Sequence, residues 1–168
     1  MEILVWLEAI APAVWVRESI SLWAYPTILA THAIGLAFLV GANAAIDLRL
    51  LGYAPDLPLA PMEKFFPVIV VAFWVSALSG GLLLIAAATT MLTSVVFYIK
   101  LLFIALAVVT LRLIKTRVFS DQASLEAGSV PRIGRVLAIA SLAFWAGAII
   151  AGRLTAYPIL IATTFGGE

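Results

Sequence analysis

The sequence has no cysteine, a single histidine and few charges, since only 11% of its 168 residues are Asp, Glu, Lys or Arg. Without cysteine the chain can form no disulfide, no thiolate metal site and no cysteine nucleophile. The net charge is only +1, and no clustered basic face is present that would bind nucleic acid. An average soluble domain is about a quarter charged. These shortages exclude a water-soluble globule and argue against a nucleic-acid partner.

Apolar residues dominate what is present. They make up 64% of the chain, and the mean hydropathy is +1.16, so too little polar surface remains to cover a fold in water. A helix needs about 20 apolar residues to cross a bilayer, and a chain of this length has room for four or five such helices. We therefore expect a single all-α domain over residues 1–168, an integral membrane four-helix bundle in contact with the lipid bilayer.

Four apolar segments predict the crossings. Residues Phe65 to Ile99 carry no charge, and as one helix they would be about 50 Å long, well beyond a hydrocarbon core of about 30 Å. This run must therefore turn, and residues 89–94 are its most polar part. The first span is expected to end where Asp47 and Arg49 meet water. The predicted spans are residues 22–46, 67–90, 94–114 and 134–155.

The ends of the chain and the loops predict an orientation. Residues 1–15 are apolar but short and contain Trp6, Trp15 and Pro12, which favours one amphipathic helix lying in the membrane interface. Lys and Arg are enriched on the cytoplasmic side of membrane proteins. Seven of them fall in the loops after the first and third spans, and three at the other end. This predicts a multi-pass protein of the bacterial inner membrane with both termini outside.

Ionisable residues inside the spans are the first candidates for function, because charge in the membrane is costly. His32, Lys100 and Arg153 all belong to the outer half of the predicted bilayer. Tyr25, His32 and Asn43 follow one another by seven and eleven residues, which places them on one face of the first helix. Gly35, three residues after His32, leaves space there for a neighbouring backbone, a ligand or a planar cofactor.

The interpretation of His32 has two branches. It could be a neutral imidazole that joins two helices through a hydrogen bond to Ser76, Ser79 or a carbonyl. It could equally be a ligand of a b-type haem or of copper, because imidazole suits both metals. The chain has one histidine, so a second ligand would be Met91, Met62, a histidine of another protomer, or none.

Two further groups of charges are interpreted in the same way. Lys100 is expected either to reach the outer head groups or to line, with Arg153, a cavity for an anionic head group, a quinone or a carboxylate. Acidic partners for both would come from the N-terminal segment, where Glu2, Glu8 and Glu18 lie. At the inner end we expect a structural salt-bridge network of four residues, Asp47, Arg49, Arg112 and Arg135.

Small residues spaced four apart predict where helices pack, because close backbone approach drives association in lipid. The same stripes could pair helices within the chain, or join copies in a homo-oligomer or a larger membrane complex. The stripes are Ala37–Gly41–Ala45, Ala72–Ser76–Gly80 and Ala143–Gly147–Ala151.

Two segments resemble a known family. They are His32-Ala-Ile-Gly35-Leu-Ala-Phe-Leu-Val-Gly41, running on to Asp47-Leu-Arg49-Leu-Leu-Gly52, and Trp145 to Tyr157 with its Gly152-Arg153 pair. Over nearly its whole length the chain resembles a bacterial family of small four-span inner-membrane proteins of unknown function. That family is distantly similar to the copper-resistance D-type membrane domain. The latter resemblance implies several metal-binding side chains, of which this chain supplies His32 and the methionines.

No enzyme motif accompanies these features: the sequence contains no paired carboxylates within the spans, no phosphate-binding glycine loop and no HExxH. We therefore expect a non-catalytic membrane subunit or binding module that holds a cofactor, metal or partner protein near His32. The alternatives are a small transporter or channel for a metal ion or small anion, and a purely structural subunit of a larger complex.

Overall fold

The computed structural model describes residues 1–120 and 130–155, and these residues are helical apart from short connections. Four of the helices are long and apolar enough to cross a membrane, which confirms the predicted all-α four-helix bundle. The short helical turn Ala60–Lys64 leads directly into the second of them. The helices are α1 (Glu2–Ala9), α2 (Ala11–Glu18), α3 (Tyr25–Leu51), α4 (Phe65–Ala86), α5 (Ala88–Leu92), α6 (Val95–Arg117) and α7 (Arg132–Leu154).

The first long helix ends later than its charges suggested. We expected it to stop at residue 46, but α3 continues to Leu51, and both Asp47 and Arg49 are buried. It stops at Gly52, whose φ of 99° lies in the left-handed region that glycine adopts without strain. The prediction that Asp47 and Arg49 meet water is therefore wrong.

The turn between the second and third crossings contains a helix of its own. The second long helix ends at Ala86, four residues earlier than predicted, because Ala87 leaves the helical conformation with φ −139° and ψ 42°. The short helix α5 follows, and α6 begins at Val95. The prediction that residues 65–99 divide into two crossings is confirmed.

The N-terminal segment forms two helices rather than the predicted single one. Ile10 is extended between α1 and α2, and Pro12 explains the break, because it has no N–H to bond the carbonyl four residues earlier. That carbonyl, of Glu8, instead accepts a hydrogen bond from the Arg17 guanidinium at 3.3 Å. The first helix packs against α4 and α5, and the second against α4. Placement of both in the membrane interface remains a prediction.

The long helices pack as two pairs, α3 with α4 and α6 with α7, and contact between α3 and α7 joins the pairs. Leu39, Ile46 and Leu50 of α3 contribute to the core. Large apolar side chains such as Phe38, Trp74 and many others cover the exterior. An apolar exterior of this kind suits a lipid environment.

The small-residue stripes pack within the chain only in part. On α4, Ala72 and Ser76 are buried and Gly80 is covered by a side chain of α3. On α7, Phe103 lies against Gly147, and Ala151 is buried, but Ala143 is exposed. On α3, Ala37 and Gly41 are exposed and do not pack within the chain, and the close approach to α4 is made by Gly35. Pairing of two copies through the α3 stripe remains a prediction.

Candidate functional site

One face of α3 carries the polar residues that sit inside the bundle. His32, Gly35, Leu39, Asn43 and Asp47 are spaced by three or four residues, so they lie along one side of the helix. His32 and Asp47 are fifteen residues apart, which separates them by about 22 Å along the helix axis. The face therefore carries two polar levels, one near each end of the bundle.

At the first level His32 is bound to α4. Its Nδ1 lies 2.9 Å from the carbonyl oxygen of Ser76 and 3.4 Å from Oγ of Ser79. A carbonyl oxygen can only accept a hydrogen bond, so Nδ1 is the protonated nitrogen of the neutral ring and its N–H is the donor. The lone pair is then on Nε2. The predicted hydrogen bond that joins two helices is confirmed.

Two glycines let His32 approach α4 this closely. A Cβ added at Gly80 would lie 2.9 Å from His32 Cε1, and one added at Gly35 would lie 2.6 Å from Ser76 Oγ. The imidazole therefore covers Gly80, while Ser76 fills the space at Gly35. Of the three occupants considered for that space, the neighbouring helix is the one found. Gly80 was recognised from the sequence only as a packing residue.

Lys100 reaches the His32 level from α6. It is partly buried, and its Cε lies 3.5 Å from the position of a Cβ at Gly152 of α7. Within the described residues Lys100 forms no salt bridge. Arg153 follows Gly152 in the last turn of α7 and is exposed. That Lys100 and Arg153 line a cavity in the outer half of the bilayer remains a prediction.

Other predicted site residues lie further out. Tyr25 begins α3 and is 49% exposed. It lies on the same face of the helix as His32, but it is not packed inside the bundle. Met91 lies on α5, beyond the end of α4, whereas residues 76–80 of α4 hold His32. Ligation by Met91 remains a prediction. Tyr157 and residues 121–129 of the loop predicted between the third and fourth spans lie outside the described residues.

The second level is a buried polar cluster of Asn43, Asp47 and Ser141. Nδ2 of Asn43 donates to Oδ2 of Asp47 at 2.6 Å and to Oγ of Ser141 at 2.7 Å. All three residues are 0% exposed. Oδ1 of Asn43, Oδ1 of Asp47 and Nε1 of the nearby buried Trp145 have no hydrogen-bond partner among the described residues.

This cluster replaces the salt-bridge network predicted at the inner end. Arg49 donates from Nε to the Leu57 carbonyl at 2.5 Å and from Nη2 to the Pro55 carbonyl at 3.0 Å. Arg112 and Arg135 are exposed. Within the part of the chain that the structure describes, Asp47 forms no salt bridge. The network was therefore the wrong interpretation of these charges.

Glu8 holds the N-terminal helices to the bundle. Its Oε1 accepts hydrogen bonds from the backbone N–H of Thr89 at 2.7 Å and from the Thr89 hydroxyl at 2.6 Å. These two bonds lower the pKa of the Glu8 carboxyl below its ordinary value. Glu18 pairs with Arg17 at 3.0 Å. Glu8 thus binds α5 and Glu18 binds Arg17 of α2, and within the described residues neither forms a salt bridge with Lys100, which we had expected as a partner.

Comparison of the chain with known protein families, with curated proteins and with solved structures finds no match. The two polar levels, at His32 and at the cluster of Asn43, Asp47 and Ser141, are therefore the features that bear on function.

Proposed function

We propose that the protein is a non-catalytic integral membrane binding module that holds a ligand at His32. The observation that carries the proposal is the hydrogen bond from His32 Nδ1 to the Ser76 carbonyl. It fixes the tautomer and the orientation of the ring and leaves Nε2 as a basic nitrogen, an arrangement typical of histidines that bind a ligand through Nε2. His32 is partly exposed, which allows a ligand access to the ring.

The charge of Lys100 selects the kind of ligand. A lone pair on Nε2 binds either a hydrogen-bond donor or a metal ion, but a nearby ammonium disfavours a free cation in a low-dielectric setting. A protic, electron-rich head group satisfies both residues, because its O–H donates to His32 and its oxygens face Lys100. The class we propose is a membrane-soluble amphiphile with such a head, either a quinol or a fatty acid.

The residues around His32 fit a b-type haem and copper less well. The ring covers Gly80 and Ser76 fills the space at Gly35, so a porphyrin has no room between α3 and α4. The described residues contain no group of three His, Cys, Asp or Glu side chains able to hold a metal ion. The test therefore also looks for haem and copper in the purified protein.

The test measures binding to the detergent-purified protein, with decylubiquinol and oleic acid as probes. Because a ligand that binds only the folded state raises the melting temperature, we expect one probe to raise Tm in the wild type but not in His32→Ala or Lys100→Met. Thr31→Ala, the neighbouring residue on the exposed side of α3, is the matched control and should respond like the wild type.

Two results would reject the proposal in its present form. If neither probe shifts Tm and the preparation is colourless and metal-free, His32 serves only to join α3 and α4. A Soret band or stoichiometric copper that disappears in His32→Ala would keep the site but would overturn the choice of ligand.

We also propose that the protein lies in a bacterial inner membrane with both termini outside. The distribution of Lys and Arg supports this orientation, since seven of ten lie near the end of the bundle where α3 and α6 terminate. The resemblance to a family of four-span inner-membrane proteins points to the same membrane.

A further inference from the structure

The cluster of Asn43, Asp47 and Ser141 contains more acceptor atoms than the protein satisfies. The Asn43 amide donates to both other side chains, yet its own Oδ1 and Asp47 Oδ1 are fully buried without a partner among the described residues. An unsatisfied buried polar atom costs about 1–3 kcal/mol, and more when it carries charge. Two such oxygens at one place in the bundle interior call for an explanation.

The charge of Asp47 is also uncompensated by the protein. No Lys, Arg or His of the described residues lies within salt-bridge distance of its carboxyl. Arg49 is two residues along α3, on a different side of the helix, and its guanidinium binds the carbonyls of Pro55 and Leu57. Arg112 of α6 and Arg135 of α7, the basic residues that we had expected near Asp47, are exposed. A buried charge normally requires a partner.

We propose that Asn43, Asp47 and Ser141 form a binding site for a monovalent metal cation, with Na⁺ as the preferred ion. Carboxylate, amide carbonyl and hydroxyl oxygens are the ligands that hard cations take. A single carboxylate neutralises a single positive charge, whereas a divalent ion would leave a net charge buried, which is costly. Hydrogen bonds of 2.6 and 2.7 Å hold the three side chains together, so the smaller Na⁺ needs less rearrangement of the cluster than K⁺ does.

The Asn43 amide can serve the site with and without the ion. In the structure its Nδ2 faces Asp47 and Ser141. A rotation of the amide by half a turn exchanges Nδ2 for Oδ1, so that three side chains offer oxygens to one point. The third unpaired atom, Trp145 Nε1, is a donor and is not a ligand; Trp145 lies one turn along α7 from Ser141.

The experiment measures Tm of the purified protein at constant ionic strength while choline chloride is replaced by NaCl, KCl or LiCl. Na⁺ should raise Tm by about 5 °C with a saturable dependence, and K⁺ should require at least a tenfold higher concentration. Asp47→Asn keeps the shape of the side chain and removes its charge, so the response to Na⁺ should disappear. Asp56→Asn, in the exposed loop after α3, should respond like the wild type.

A second variant keeps the test valid if Asp47→Asn does not fold. Ser141→Ala removes one ligand and should weaken Na⁺ binding at least tenfold in isothermal titration with NaCl. Equal effects of Na⁺ and choline on the wild type, or a full Na⁺ response in Asp47→Asn, would overturn the proposal, and Asp47 would then be a protonated acid. His32→Ala should keep the Na⁺ response, so failure of the ligand site at His32 and failure of this site are distinguishable.

Discussion

His32 Nδ1 and the carbonyl oxygen of Ser76 join α3 to α4 across 2.9 Å, and the same imidazole lies over Gly80, one turn further along α4. The two contacts depend on each other. Only a residue without a side chain at position 80 lets the ring lie close enough to reach the Ser76 carbonyl. The orientation of His32 is therefore determined by Gly80 as well as by its hydrogen bond.

Gly80→Ala tests this dependence. The new Cβ would lie 2.9 Å from His32 Cε1, so the ring must tilt and lengthen its bond to Ser76. Overpacking of this kind typically costs about 1–3 kcal/mol. The neighbouring Gly81→Ala is the control, because nothing lies within 4 Å of its Cβ and it gains helix propensity alone. Unfolding in detergent should show Gly80→Ala to be the less stable of the pair, and equal stability would contradict the packing described here.

Gly35→Ala tests the other close approach between α3 and α4. Its Cβ would lie 2.6 Å from Ser76 Oγ and 3.2 Å from the Ser76 backbone nitrogen, so the two helices must separate slightly at this point. We expect a loss of about 1–3 kcal/mol in the same unfolding measurement.

Two further variants show whether the contact with Ser76 causes the loss of stability in Gly35→Ala. Gly41→Ala, on the same helix with nothing within 4 Å of its Cβ, should not lower stability. Adding Ser76→Ala to Gly35→Ala removes the Oγ and should recover part of the loss. If the double variant is no more stable than Gly35→Ala alone, the hydroxyl contact is not the cause.

The helices were predictable because formal charge and length decide where a chain can cross a membrane. The run of 35 uncharged residues from Phe65 to Ile99 could only be two crossings. The end of α3 was missed for a physical reason: Asp47 and Arg49 look like a boundary with water. In the folded protein both residues are buried: Asp47 accepts a hydrogen bond from Asn43, and Arg49 donates to the loop carbonyls of Pro55 and Leu57.

The two polar levels differ in how far the sequence predicts them. His32 is the only histidine, and Ser76 and Ser79 were among its expected partners, so its hydrogen bond could be predicted from the sequence. The contact between Asn43 and Ser141 joins residues 98 positions apart and depends on how α7 is rotated about its axis. Periodicity in one helix does not fix that rotation relative to another. Ser141 and Trp145 were therefore missed.

Acid should release the N-terminal helices from the bundle. Hydrogen bonds from Thr89 lower the pKa of Glu8 in the folded protein, so folding favours the ionised form. The resulting stabilisation is present above the unfolded pKa of about 4.3 and is lost as pH falls through the lower folded value. The protection factor of the Thr89 amide, which is its hydrogen-exchange rate corrected for the intrinsic rate at each pH, should therefore be high at pH 6 and lower at pH 3.

Glu8→Gln and Glu2→Gln separate this effect from general acid unfolding. In Glu8→Gln the Thr89 amide should have a low protection factor at both pH values, because a neutral amide is a weaker acceptor than a carboxylate. Glu2, also on α1 and exposed, makes no hydrogen bond to Thr89, and Glu2→Gln should behave like the wild type. A high, pH-independent protection factor in Glu8→Gln would show that apolar packing alone holds α1 in place.

The orientation in the membrane can be tested with single cysteines, because the native sequence contains none. Asp56→Cys lies in the exposed loop after α3, and Thr93→Cys lies in the exposed turn before α6. The positive-inside rule predicts that the loop at residue 56 is cytoplasmic, since most Lys and Arg gather at that end of the bundle. In intact cells a membrane-impermeant maleimide should label Thr93→Cys and leave Asp56→Cys unlabelled until the membrane is permeabilised. The reverse pattern would invert the topology and place His32 and Lys100 in the inner half of the bilayer.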